Sequence, residues 1–159
     1  MKHAVLESPI GPLTLVGDGD FVTGLYFPNH WTRPDRTAFG DRDDTAFPVA
    51  ARQLEEYFGG RRTAFDVPTQ ATGPAFDRAV WAEIAKVPYG STATYGDLAR
   101  AVGGLPPEVG AAVGRNPLSI LVACHRVVGK GGKLTGYAGG IRRKQFLLDL
   151  ERPPASTLW

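Results

Sequence analysis

The spacing of apolar residues changes at Gly73, and that change constrains the fold more than any other feature of the chain. Before it, "AVLESPIGPLTLVGDGDFVTGLYFP" is a series of short apolar runs broken by Pro-Ile-Gly-Pro and Gly-Asp-Gly-Asp turns, the pattern of a β-meander. A Pro/Asp/Arg-rich loop follows from Pro28 to Asp44. "PVAARQLEEYFGG" then places Val49, Leu54, Tyr57 and Phe58 near helical spacing and stops at Gly59-Gly60, as a helix with its C-terminal signal does. "TAFDVPTQATG" predicts one more extended piece and a linker.

After Gly73 the period is helical. "GPAFDRAVWAEIAKVPYG" sets Phe76, Val80, Trp81, Ile84 and Val87 on one face, between Pro74 and Pro88. "STATYGDLARAVGG" supplies Ser/Thr caps, then Leu98, Ala99 and Val102. "LPPEVGAAVGRNP" opens with Pro106-Pro107-Glu108 and ends near Gly114. Two short helices joined by a glycine turn make a helix-turn-helix candidate. Gly110, Ala111 and Ala112 are small enough to bring the second helix backbone close to another surface, whether the core or a DNA groove. The chain thus divides into residues 1–72, a small sheet-and-helix unit that supports the rest, and residues 73–159, a mostly helical unit.

At 159 residues with 43% hydrophobic content the chain can bury a core. Charge is uneven: seven basic against ten acidic residues up to position 73, eleven against six beyond it. A polyanion would meet the second half. The N-terminus lacks a long apolar run, so neither a signal peptide nor a membrane span is expected. A single cysteine excludes an internal disulfide framework and a Cys-rich zinc site, which fits a reducing, cytosolic setting.

That cysteine lies in "ILVACHRVVG", at the end of what looks like a buried strand. A buried free cysteine is ordinarily a small hydrophobe. Here His125 and Arg126 follow directly, and a thiol with an ordinary pKa of about 8.5 becomes nucleophilic at neutral pH when a base or a positive charge adjoins it. Side chains of consecutive extended residues point apart, so a bridging water is a more natural Cys-His relay than a direct bond.

Tyr95, Asn116-Pro117, "ACHRVVG" and "LTGYAGGIRRKQFLLDLE", in that order, resemble the O6-alkylguanine-DNA alkyltransferases (methylated-DNA–protein-cysteine methyltransferases). The likeness covers nearly all of the second half. "SPIGPLTLV" and "LEEYFGGRR" resemble the family's N-terminal domain less specifically. The resemblance implies an α+β protein: a ribonuclease H-like N-terminal domain and a C-terminal winged helix-turn-helix. It implies an irreversible, single-turnover transfer of the alkyl group from O6-alkylguanine in double-stranded DNA, with O4-alkylthymine as a second candidate lesion, to Cys124. No cofactor or metal is implied, and the protein would act as a monomer.

By the same resemblance His125 is the water-linked base, Glu151 the carboxylate that orients it, and Asn116 the hinge between recognition helix and active-site strand. Tyr95 would crowd the target phosphate as the nucleotide is flipped out, Tyr137 would donate toward the departing guanine oxygen, and Ala138 would line the pocket. Gly110, Ala111, Arg115, Arg126 and Lys144 complete the implied substrate- and DNA-binding set.

Two departures stand out. Ala123 replaces the proline that usually precedes the cysteine, and Pro107 stands where relatives carry the arginine that enters the duplex, leaving Arg100 and Arg115 as nearby substitutes. Two other function classes can be weighed. An alkyltransferase-like DNA sensor would lack the cysteine. A cysteine hydrolase would need a distant histidine, and His3 and His30 lie in the opposite half.

Overall fold

The computed structural model describes residues 1–28, 36–137 and 139–152. His30 and Ala138 fall outside the described residues. The meander forms as expected: β1 (Lys2–Leu6), β2 (Leu13–Asp18) and β3 (Phe21–Tyr26) pair antiparallel in sequence. A short β4 (Asp41–Arg42) adds in parallel beside β1, giving the order β3-β2-β1-β4. Helix α1 (Pro48–Phe58) buries Ala50, Gln53, Leu54 and Tyr57, the i, i+3, i+4, i+7 stripe of an amphipathic helix. Val49 is exposed, so the apolar face lies one position from the expected one.

The stretch expected to be an extended piece and a linker forms no strand of its own. It runs along the free edge of β3, where Val22 N–H donates to Pro68 O and Gln70 N–H to Val22 O, both at 3.0 Å. Further along that edge, Leu25 N–H donates to Pro117 O at 2.8 Å. The meander edge is thereby covered and joined to the segment that leads to Cys124.

Helices α2 (Ala75–Ile84), α3 (Tyr95–Val102) and α4 (Pro106–Gly114) form as their punctuation predicts, and α5 (Ile141–Leu150) closes the domain after the cysteine segment. Thr94 and Asp97 cap α3 reciprocally. Gly103 ends α3 at φ +78°, a left-handed position that glycine takes without strain. Pro106 and Pro107 begin α4, where the missing N–H groups are harmless, and Glu108 reaches back to Leu105 N–H at 3.0 Å. α3 and α4 make the helix-turn-helix. Val109, Ala112 and Val113 pack α4 inward while Pro107, Glu108 and Ala111 stay exposed. Trp81 of α2 donates Nε1–H to Ala112 O at 2.9 Å, fixing the C-terminal turn of α4. A two-residue parallel pair, β5 (Ala93–Thr94) and β6 (Val127–Val128), connects the entry of α3 to the exit of the cysteine segment. No helix among the described residues is long and apolar enough to cross a membrane.

Candidate active site

Cys124 does not end a strand. It opens a single 3-10 turn, Cys124–Arg126, after a succession of tight turns from Ser119 to Val122. Asn116 explains this local path. Its Oδ1 accepts from Leu118 N–H and its Nδ2 donates to Val122 O, each at 3.0 Å. One buried amide thus satisfies backbone groups that a strand would have paired elsewhere. Ile120 is held at φ +70° inside the loop, a conformation costing a β-branched residue on the order of 1–3 kcal/mol and tolerated only where the surroundings impose it. A short buried apolar run reads alike whether it is a strand or an irregular segment; the side chain of Asn116 decides.

The thiol is 3% exposed. It faces a cavity of about 210 Å³ lined by Tyr95, Gly110, Gly114, Ser119 and Tyr137, among others. A larger hollow of about 490 Å³ beside Arg142 and Phe146 holds no nucleophile, so chemistry rather than size selects the candidate site. Gly110 brings α4 to the rim next to the Tyr95 ring, and Tyr95 Oη lies 2.9 Å from Thr135 Oγ1. Gly139 presses on the ring of Phe27, leaving no room for a Cβ. Phe27 in turn lies 5.9 Å, centroid to centroid, from the Tyr137 ring.

Burial pushes the Cys124 thiol pKa up, and the side chains of Asn116, Tyr137 and Ser119, with the charge of Lys144, oppose that rise. Ser119 Oγ and Tyr137 Oη sit near the sulfur, yet neither completes a well-formed hydrogen bond among the described residues. Burial likewise holds the Tyr137 phenol well above its ordinary pKa, so it remains a donor. Lys144, itself buried, has its pKa lowered to about 8 by desolvation, with the Cys124 charge countering.

Behind the thiol, His125 is fully buried and its Nε2 lies 2.7 Å from Glu151 Oε2. Burial would raise the Glu151 pKa, but hydrogen bonds from His125, Arg126 and Tyr57 bring it down to about 2. The carboxylate is therefore ionised at neutral pH and accepts, so Nε2 carries the imidazole proton. The lone pair is left on Nδ1, which is buried without a partner among the described residues. Burial also lowers the His125 pKa, with Glu151 opposing. A neutral imidazole with a free basic nitrogen is what a general base next to a thiol requires.

Three residues of the implied substrate- and DNA-binding set have partners within the protein. Arg126 donates Nε–H to Glu151 Oε1 at 2.8 Å, a second bond to Oε2 at 3.1 Å, and a third to Val87 O at 2.7 Å. Its guanidinium belongs to the relay carboxylate. Arg115 makes a two-pronged pair with Asp77. Lys144 is buried beside the thiol. Gly110 and Ala111 do lie on the open face of α4. Arg100 is paired at the surface with Asp97, and His3 binds Gly40 O from β1. Ser119, Thr135 and Tyr57 join the site without a sequence signal, since each reads as an ordinary turn or core residue.

A nucleophilic cysteine backed by a buried His-Glu pair, opening beneath the second helix of a helix-turn-helix, defines a class that does thiol chemistry on a nucleic acid. Two family models match the chain: the 6-O-methylguanine DNA methyltransferase DNA binding domain over residues 75–153 and its ribonuclease-like domain over residues 1–71. The methylated-DNA–protein-cysteine methyltransferase of Mycobacterium tuberculosis is 45% identical over 157 residues, spanning 98% of this chain and 94% of that one. Its counterpart in Methanosarcina acetivorans is 43% identical over 95% and 98% of the two chains. The crystal structure of M. tuberculosis OGT in complex with DNA superposes with a TM-score of 0.90 at 44% identity, covering 95% of this chain and 93% of that one. The chain belongs to the methylated-DNA–protein-cysteine methyltransferase family.

Proposed function

We propose that the protein repairs O6-alkylguanine in double-stranded DNA by transferring the alkyl group irreversibly to Cys124, acting once, as a monomer and in the cytosol. The observation that carries this reading is the single buried thiol in a base-sized cavity, backed by a histidine whose free nitrogen is set by an ionised glutamate. The flipped nucleotide enters beneath α4, where Gly110 and Gly114 leave room and Tyr95 crowds its phosphate.

The thiol proton passes through a bridging water to Nδ1 of His125, and Glu151 stabilises the imidazolium that results. The sulfur then forms a bond to the alkyl carbon as the bond from that carbon to guanine O6 breaks. The electron pair stays on the guanine oxygen, toward which Tyr137 donates, and a proton returns to the base as it departs. A thiolate is a fitting nucleophile for a saturated carbon, and the damaged base is itself the donor. Asn116 holds the cysteine loop in register, and Lys144 favours the thiolate. Residues 1–72 support this unit through Phe27, Leu25 and Tyr57. In a direct test, Cys124→Ser should bind a duplex carrying O6-methylguanine as tightly as the parent protein and leave the lesion intact. Lesion loss with Cys124→Ser would refute the assignment.

A further inference from the structure

A hydroxyl of the N-terminal half reaches the relay carboxylate. Tyr57, at the end of α1, is buried, with its ring edge-on to Tyr89 and 5.3 Å, centroid to centroid, from that of Phe65. Its hydroxyl donates to Glu151 Oε2 at 2.5 Å. The same oxygen accepts from His125 Nε2 at 2.7 Å and from Arg126 at 3.1 Å, while Oε1 accepts from Arg126 Nε.

Resting on the reading above, we propose that Tyr57 is a positioning residue of alkyl transfer, contributed by the N-terminal half, that sets how strongly Glu151 holds the proton of His125. Packing alone would need only a phenylalanine ring. The hydroxyl adds a donor to the oxygen that His125 uses, which withdraws negative charge from it and fixes the carboxylate plane jointly with Arg126. The phenol stays protonated, because burial and the Glu151 charge push its pKa up.

The charged and titratable groups around this pair come from four elements, with Tyr137 from the segment before α5 as a fifth contributor. They are Tyr57 on α1, Tyr89 before α3, Cys124 and Arg126 in the cysteine turn, and Lys144 with Glu151 on and after α5. Arg126 and Lys144 both disfavour an imidazolium; Glu151 favours it. Tyr57 therefore weakens the one group that supports a proton on His125, and removing the hydroxyl raises the proton affinity of His125.

Tyr57→Phe tests this, with Tyr89→Phe as the control, since the Tyr89 hydroxyl is bonded to Leu150 O rather than to Glu151. The readouts are the His125 ring resonances against pH in the DNA-free protein and the pH profile of single-turnover transfer. Tyr57→Phe should move the His125 midpoint up by roughly half a pH unit, about threefold in proton affinity, and carry the acid limb of transfer with it. Tyr89→Phe should leave both in place. A His125 that titrates only in Tyr57→Phe supports the proposal; curves that coincide with the parent protein, or no titration in either with coincident rate profiles, overturn it. If Tyr57→Phe does not fold, 3-fluorotyrosine placed at position 57 keeps the ring and strengthens the donor. The midpoint should then fall, and an unchanged midpoint overturns the proposal. A parent protein that fails to repair any lesion would refute the functional reading, while the His125 titration still decides the role of Tyr57.

Discussion

Arg115, the residue after α4, is bound by two parallel hydrogen bonds of 2.6 and 2.8 Å to Asp77 in the first turn of α2. The carboxylate is 2% exposed, whereas the guanidinium is 49% exposed. Arg115→Ala strands a buried carboxylate, with only the N-terminal dipole of α2 to support it. Because the arginine is half in water, the loss should be about 1–3 kcal/mol, below that of a fully buried pair. Arg115 holds the Asp77 carboxyl below its ordinary pKa. A depressed carboxyl stabilises the fold fully above its unfolded value of about 3.9 and loses that contribution as pH falls through the folded value. Denaturant titrations should therefore separate Arg115→Ala from the parent protein most widely above pH 5, with the gap closing toward pH 3. A gap independent of pH would mean that the pair contributes packing alone.

The relay predicts a pH-dependent penalty. Burial raises the thiol pKa, so at neutral pH Cys124 depends on His125 and Glu151 to lose its proton. Because burial holds the thiol above its ordinary value of about 8.5, hydroxide takes over only as the pH rises beyond that value. Transfer by His125→Ala and Glu151→Gln should fall on the order of 10²-fold at pH 7 and recover progressively in single-turnover assays between pH 8.5 and 10. Equal deficits across that range would assign both residues to architecture. Lys144, with a pKa of about 8, loses its charge in the same window, so Lys144→Met should cost less at pH 9.5 than at pH 7.

Pro107 occupies the exposed start of α4, the position at which the family resemblance implies an arginine. The neighbouring arginines are paired in the DNA-free protein, Arg115 with Asp77 and Arg100 at the surface with Asp97. Flipping a paired base costs a few kcal/mol, and a side chain filling the vacated stack offsets part of that. Pro107→Arg should therefore bring the single-turnover rate on a duplex closer to that on single-stranded DNA, leaving the latter unchanged. An unaltered ratio of the two rates would exclude a wedge at this position.

What the sequence made legible follows from how locally each feature is encoded. The spans of α1 to α4 could be read because proline, glycine and capping residues sit within a few positions of the ends they define. Cys124 and His125 are adjacent in the chain, so both could be singled out from the sequence too. The Tyr57–Glu151 bond spans 94 positions and the Asp77–Arg115 pair spans 38. Nothing near either partner marks it, and Tyr57 reads as one more apolar position on a helix face. The bonds of Arg126 to Glu151 span 25 positions and were hidden for the same reason: next to a thiol in the sequence it reads as a positive neighbour, and its carboxylate partner lies far along the chain. The supposed strand before Cys124 failed because Asn116, rather than a neighbouring strand, satisfies the backbone there.

The central claim is a single, irreversible transfer to one sulfur. Incubating the protein with excess duplex bearing one O6-methylguanine, and weighing the intact chain, tests it most directly. The prediction is a gain of one methyl group per chain, located on the peptide that contains Cys124, with one equivalent of guanine restored and none thereafter. Repair continuing beyond one equivalent, a methyl group on any other residue, or an unmodified chain with the lesion intact would contradict it.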